Sequence, residues 1–380
     1  MKRFVLAFTL TVGLLTSAST LQAQVNMSRY ITLTVKSGKA IGLDFKAAAA
    51  GTPVRIVSGS NTRNITVGTG WYDGGNPTNF TVTAGASTMT IYGDLIGFGC
   101  EMNRANLTAI DVSNNTQLTQ LYCYDNSLNS LDISQNTQLT RLDCYNNNLT
   151  TLDVSVCTQL KRLGCYNNNL TTLNVSGCTQ LTTLYCSSNN LSSLDLSNNT
   201  QLKELYCSNN NLSSLDVSNN TQLKELYCHN NNFSTAALDA IYCALPDRTS
   251  KTSGKIYPVH NSSSENHATV LATNKVNAIA KNWKVQYYDN TDIPATTGKH
   301  KCSATTDIAE ASTEPALTLY PNPVADVLYL SATARTIRIY DMYGTEVAHA
   351  TDTDRVEVSH LPAGIYTVNA DGTVAKMVKR

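Results

Sequence analysis

From residue 118 to residue 231 the apolar positions return every 21 residues in one pattern, Leu-x-x-Leu-x-Cys-x-x-Asn. The copies open at Leu118, Leu139, Leu160, Leu181, Leu202 and Leu223. An apolar residue follows two places on, and most copies then run on through x-x-Leu-Asp-(Val/Ile/Leu)-Ser. Alternation within Leu-x-x-Leu-x-Cys predicts a short strand in each copy. Leu121 and Cys123 then point inward, and Tyr122 and Tyr124 point out. A looser copy precedes these, with Leu95, Phe98, Cys100 and Asn103 in place, then two extra residues near Arg104 before Leu107, Ile110 and Val112. Beyond Asn231 the period becomes helical, through Phe233, Ala237, Leu238, Ile241, Tyr242 and Leu245, and Pro246 ends it. Alternating runs at Tyr30–Val35, Phe80–Val82 and Met89–Tyr92, with turns at Asp73–Gly75 and Gly75–Pro77, predict a β-rich start.

A repeat of about 20–29 residues with this leucine spacing is the signature of leucine-rich repeats. The expected fold is a right-handed solenoid, mainly β and irregular, of about seven rungs. Neighbouring rungs pair in parallel about 4.8 Å apart, so each repeat position becomes a column. A solenoid needs capped ends. The expected order is a signal peptide (1–23), an N-terminal β-rich cap (24–94) and the repeats with their capping helix (95–247). An α+β C-terminal cap (248–292) follows, with strands at Lys255–Val259 and Trp283–Tyr288 around a helix at Glu265–Lys281. A Thr-, Ala- and Ser-rich linker (293–316) and a last domain (317–380) of about seven short strands, an Ig-like sandwich, complete it. Lys2 and Arg3 before the apolar run Phe4–Leu15 carry the signal-peptide assignment. That run is too short to span a bilayer, and no later stretch is apolar enough.

The columns differ in chemistry. Asn126, Asn147, Asn168, Asn189, Asn210 and Asn231 read as buried amides that satisfy the backbone at the strand turn. Asp111, Asp132, Asp153, Asp195 and Asp216, with Asn174 in the remaining place, either bond local turn N–H groups or offer carboxylates to calcium. The Asn174 exception favours turns. Cys100, Cys123, Cys144, Cys165, Cys186, Cys207 and Cys228 read as small buried apolar groups, because parallel side chains do not converge as a disulfide requires and no Cys-x-x-Cys pair offers zinc a site. Cys157 and Cys178 form a second column and are the better disulfide candidates. No cofactor is expected.

The outward positions are the candidate ligand-binding residues. Tyr122, Tyr185, Tyr206 and Tyr227 share one column. Tyr124, Tyr145 and Tyr166 share the next, which continues as Ser187, Ser208 and His229. Arg141 and Arg162 stand beside them as unpaired positive charge, whereas Lys203 with Glu204 and Lys224 with Glu225 can neutralise each other. Tyrosine and arginine are enriched at binding hot spots, but stacked tyrosines also simply shield a sheet. On this reading affinity concentrates at Tyr124, Tyr145, Tyr166, Arg141 and Arg162, and an acidic or anionic-sugar partner is favoured.

Charge balances at 28 basic and 28 acidic residues, so no nucleic-acid footprint is visible. Gly-x-Ser-x-Gly, His-Glu-x-x-His and phosphate-loop motifs are absent, and the six histidines are scattered. With its cysteine in the strand, the region from about 95 to 245 resembles the internalin J-like branch of bacterial leucine-rich-repeat proteins, which implies a surface adhesin. The Leu-Pro-x-Thr-Gly wall-sorting tail of such proteins is missing here. Tyr-Pro-Asn-Pro (Tyr320–Pro323), Val327–Leu330, Ile339–Gly344, Leu361–Val368 and the basic tail Lys376–Arg380 instead resemble the C-terminal sorting domain of the Bacteroidetes type IX secretion system. That resemblance implies passage through the periplasm, export across the outer membrane by the type IX machinery, and anchoring or release. The expected function is a non-enzymatic surface protein that adheres to host cells, other bacteria or matrix through a protein or glycan ligand. The alternative is glycan or peptide capture for nutrition.

Overall fold

The computed structural model describes residues 24–72, 80–302, 319–341, 345–371 and 373–380. The expected signal peptide, the turns between Asp73 and Pro77, most of the expected linker and part of the Ile339–Gly344 motif lie outside these residues. The chain divides into two compact units, Met1–Cys302 and Ser303–Arg380.

In the first unit the repeat strands Gln120–Tyr122, Arg141–Asp143, Arg162–Gly164, Thr183–Tyr185, Glu204–Tyr206 and Glu225–Tyr227 stack in parallel. They pair leucine on leucine, Leu121 on Leu142 and so on to Leu226. A slip of one residue would turn every leucine to solvent, so the 21-residue period fixes the register. The leucines and all seven ladder cysteines are fully buried. Leu95–Gly99 joins this sheet in parallel, as the looser first copy predicts.

Gly254–Val259 and Trp283–Tyr287 join it too, placing Ile256 beside Leu226 and Val285 beside Ile256. The seven expected repeat strands are present, and the expected C-terminal cap lengthens the ladder to nine parallel strands among the described residues. Its length escaped the period because 30 residues separate Tyr227 from Tyr257, its partner in register. The expected helix at Glu265–Lys281 is two short ones, His267–Leu271 and Val276–Ile279. The capping helix Thr235–Ala244 is present, with the Ser234 side chain accepting from the Ala237 N–H at its start.

The first cap is a five-stranded antiparallel sheet. One of its strands, Leu107–Asp111, comes from beyond the first rung and pairs with Tyr30–Val35. A second cap strand, Asp44–Ala47, runs antiparallel to Leu95–Gly99 and closes the exposed edge of the long sheet.

Buried asparagine ladders hold the turns. Asn147 Nδ2 lies 3.0 Å from the carbonyls of Cys144 and Cys123, and its Oδ1 accepts the Leu128 N–H. Asn168, Asn189 and Asn210 repeat this set. The acidic column binds turns as expected. Asp132 Oδ1 accepts the Ser134 N–H at 2.9 Å, and Asn174 does the same for Ser176 at 3.0 Å. A second buried column, Asn115, Asn136, Asn199 and Asn220, escaped the sequence reading. Asn136 Nδ2 donates to the carbonyls of Val112 and Asn115. Cys157 and Cys178 occupy its two middle places.

Those two cysteines are free, which corrects their candidacy as a disulfide. The bond instead joins Cys243 to Cys302, across 59 residues. It lies where the expected linker begins, and it corrects that expectation too. Ile293 is buried, Thr297 N donates to Leu271 O, and Asn274 and Asn277 hold the His300 carbonyl. Residues 293 to 302 thus pack on the first unit.

The second unit has five described strands in one hydrogen-bonded antiparallel sheet. The long strands Val327–Tyr340 and Glu346–Glu357 pair with a break in register between Tyr329 and Ala334. The first part of Val327–Tyr340 meets Leu319–Tyr320 and the second meets Gly364–Ala370. Five strands are described where about seven short ones were expected, and two of them, Val327–Tyr340 and Glu346–Glu357, are long, at 14 and 12 residues. Leu328, Leu330, Ile337, Ile339, Val358, Val368 and Met377 make its core.

Candidate functional site: the aromatic face of the long sheet

Every second side chain of the ladder points away from the leucine core, so like residues stand one above another. Tyr124, Tyr145 and Tyr166 stack face to face, with centroids 4.3 and 4.2 Å apart and planes within 11°. Tyr185 tilts against Tyr206 at 4.5 Å, and Tyr206 stacks on Tyr227 at 4.1 Å. Tyr257 extends that stack at 4.1 Å, and Trp71 of the first cap stacks on Tyr122 at 4.8 Å. These last two are site-face residues that the 21-residue period could not show. The Tyr145 and Tyr206 hydroxyls hold their protons well above the usual phenol range, mainly through burial and then through the neighbouring phenols.

The arginines are not the free cations that the sequence suggested. Between Tyr122 and Tyr185 the column holds Asp143 and Gly164, and Asp143 is buried. The Arg141 guanidinium contacts Asp143 Oδ2 at 2.7 Å, and Arg162 Nε lies 3.5 Å from Oδ1. Arg141 also lies over the Tyr122 ring and Arg162 over the Tyr185 ring, at 4.8 and 4.5 Å. One carboxylate therefore serves two guanidiniums, each resting on a tyrosine. Their geometry makes a clasp across the middle of the face. The lysine pairing also differs. Lys224 bonds Glu204 of the preceding rung at 2.9 Å, while the Tyr185 and Tyr206 hydroxyls meet Glu204 and Glu225.

Beside this clasp the face opens into a cleft of about 580 Å³. Tyr166 stands at one end, and Tyr185, Tyr206 and Tyr227 line a side. Ser187, Ser208 and His229 lie along it, with Asn209 and Asn230 in the neighbouring column. His260, Ser264 and Tyr288 from the C-terminal extension complete the lining. Tyr288 packs edge-on against His229 at 5.3 Å and stacks on His260 at 5.2 Å. Burial, then the neighbouring His260, pushes His229 down to about 4, so it is neutral at physiological pH. Of the candidate residues, Tyr166, Tyr185, Tyr206, Tyr227 and His229 meet in this cleft. Tyr122, Tyr124, Tyr145, Arg141 and Arg162 lie outside it on the same face. Ser187 and Ser208 had been noted only as the continuation of a tyrosine column, although a step from large to small side chains is itself the signal for a cavity.

Aromatic surface, neutral hydroxyls and amides are present. Among the described residues no group of three or more His, Cys, Asp or Glu side chains is arranged to hold a metal ion.

Two family models match parts of the chain. Residues 318–380 match the family described as the secretion system C-terminal sorting domain, and residues 200–240 match leucine-rich repeats. The functional domain of InlJ from Listeria monocytogenes, which includes a cysteine ladder, is 19% identical with a TM-score of 0.37, covering 75% of this chain and 81% of that one. The internalin InlF of Listeria monocytogenes is 20% identical with a TM-score of 0.39, covering 50% and 60%. A leucine-rich-repeat protein of Leptospira interrogans is 22% identical with a TM-score of 0.30, covering 35% and 43%. No curated protein matches the sequence. The chain carries leucine-rich repeats and a type IX secretion sorting domain, and is exported to the outer-membrane surface or released from it. No helix among the described residues is long and apolar enough to cross a membrane.

Proposed function

We propose that this protein is a non-enzymatic adhesin that binds molecules on host cells, other bacteria or matrix through the open face of its long sheet. The observation that carries this reading is the aromatic face running from Trp71 to Tyr288, with a cleft cut into it among neutral polar groups. Tyrosine supplies a large, rigid contact surface at low entropic cost, which suits recognition. A solenoid presents such a face over many rungs, and the sorting domain delivers it outside the cell. The carbohydrate form of the ligand is favoured by the cleft lining, as developed below.

The test is attachment by cells with and without the gene, in the presence and absence of purified full chain. The reading expects weaker attachment without the gene, restoration by complementation, and competition by the soluble protein. Unchanged attachment in the deletion strain would rule the adhesin reading out.

A further inference from the structure

The cleft is a gap in an aromatic stack. The column Tyr124, Tyr145, Tyr166 steps 4.2–4.3 Å from ring to ring and then meets Ser187 and Ser208 before His229. Two ring positions are therefore vacated within a span of three strand spacings, about 14 Å. One face of Tyr166 is covered by Tyr145. Ser187 follows on the other side, and both residues line the cleft. The faces of Tyr185 and Tyr227 are taken up. Arg162 and Tyr206 pack on Tyr185, and Tyr206 and Tyr257 pack on Tyr227.

Polar groups surround the gap. Ser208 Oγ donates to Ser187 Oγ at 2.9 Å, and Asn230 Nδ2 donates to Asn209 Oδ1 at 2.8 Å. Among the described residues no Asp, Glu, Lys or Arg lines it. In the columns outside, Arg141 and Arg162 are engaged by Asp143 and Lys224 by Glu204.

We infer that this gap binds a neutral pyranose ring of a glycan, stacked by its C–H face on Tyr166 and hydrogen-bonded round its rim by Ser187, Ser208, Asn209 and Asn230. A pyranose has an apolar face and a ring of hydroxyls, which matches one open aromatic face among neutral donors and acceptors. An aromatic peptide side chain would fit the width but would desolvate the donors and acceptors that those hydroxyls and amides keep free of their mutual bonds. An anionic sugar would meet no lysine or arginine in the lining. This inference rests on the open face being the binding face, and it names the ligand class for it.

The experiment fills the gap. Ser208→Tyr restores the tyrosine that rungs 124, 145 and 166 already carry in this column, so the ladder accommodates it. Full-chain wild type, Ser208→Tyr, Tyr166→Ala and a distant control, Thr151→Ala, are applied to an array of neutral oligosaccharides. The same array carries sialylated and sulfated versions and a set of aromatic peptides. Thermal melts report folding of each variant. Wild type and Thr151→Ala are expected to bind neutral glycans. Folded Ser208→Tyr and Tyr166→Ala should lose at least about 30-fold in affinity, the size of one hot-spot truncation. No neutral-glycan binding by wild type, selective binding of anionic glycans or of peptides, or wild-type affinity in Ser208→Tyr would each overturn the inference. If Ser208→Tyr keeps glycan binding while other open-face variants lose cell attachment, the gap fails and the adhesin reading stands. Should glycan binding depend on the gap while cells attach without the protein, the adhesin reading fails and the gap stands.

Discussion

Gly164 lies against Asp143 so closely that a Cβ on it would come within 2.5 Å of Asp143 Oδ1. Ordinarily a side-chain oxygen yields to such an intrusion. Here Asp143 is buried and held by Arg141 and Arg162, so it has nowhere to go. The missing side chain at Gly164 is what lets the carboxylate sit between its two guanidiniums.

Gly164→Ala should therefore loosen the clasp and cost about 1–3 kcal/mol, the usual range for overpacking a closed site. A thermal melt measures it. Gly177→Ala is not a suitable control, because a Cβ there meets the Ser155 carbonyl at 2.1 Å. Gly68→Ala is suitable, because its Cβ meets nothing within 4 Å. Equal melting of Gly164→Ala and wild type would show that Asp143 moves freely.

Glu101 heads the Tyr124 column and is buried at the first rung. Desolvation, with Asp44 and Asp143 as like charges, pushes its carboxyl up to about 8. The folded chain thus keeps this proton where the unfolded chain has lost it. The stability it contributes is fully present below the ordinary carboxylate value, near 4.5, and is lost as pH rises towards 8. Wild-type melting temperature should fall between pH 5 and about 8 more steeply than that of Glu101→Gln, which has no proton to lose. Parallel curves for the two proteins would contradict this account.

The asparagine and cysteine ladders differ in what they hold. Asn168 bonds two cysteine carbonyls and the Leu149 N–H, all buried. Asn168→Ala strands these groups and should cost roughly 3 kcal/mol or more. Cys165→Ala removes one small buried group and should cost about 1–2 kcal/mol, whereas Cys165→Asp, an unpaired buried charge, should unfold the stack. Denaturant titration ranks the three, and a Cys165→Asp protein as stable as Cys165→Ala would place the column in solvent.

The repeats were legible because one period fixes register, burial and facing direction together. Leu121 on Leu142 and the outward tyrosines follow from that alone. Contacts between unlike segments were not legible. Trp71 on Tyr122, Tyr257 on Tyr227 and Cys243 to Cys302 join positions at irregular separations. Asp143 was hidden for another reason. Within its own repeat it breaks the tyrosine column and looks like an exception, and only the rungs on either side show that it neutralises the two arginines. The cleft follows the same logic, since its far wall, His260 and Tyr288, belongs to a segment outside the period.

The claim that the open face of the long sheet is the binding surface is tested most directly by one attachment assay. Purified full-chain Tyr206→Ala, Ser208→Tyr and Tyr145→Ala, with Asp132→Asn and Thr151→Ala from the opposite edge of the rungs, compete with cells for the surface they colonise. The account predicts that Tyr206→Ala and Ser208→Tyr lose competition, that Tyr145→Ala weakens it through its support of Tyr166, and that the two edge variants compete like wild type. Equal competition by all five would move the binding surface off this face.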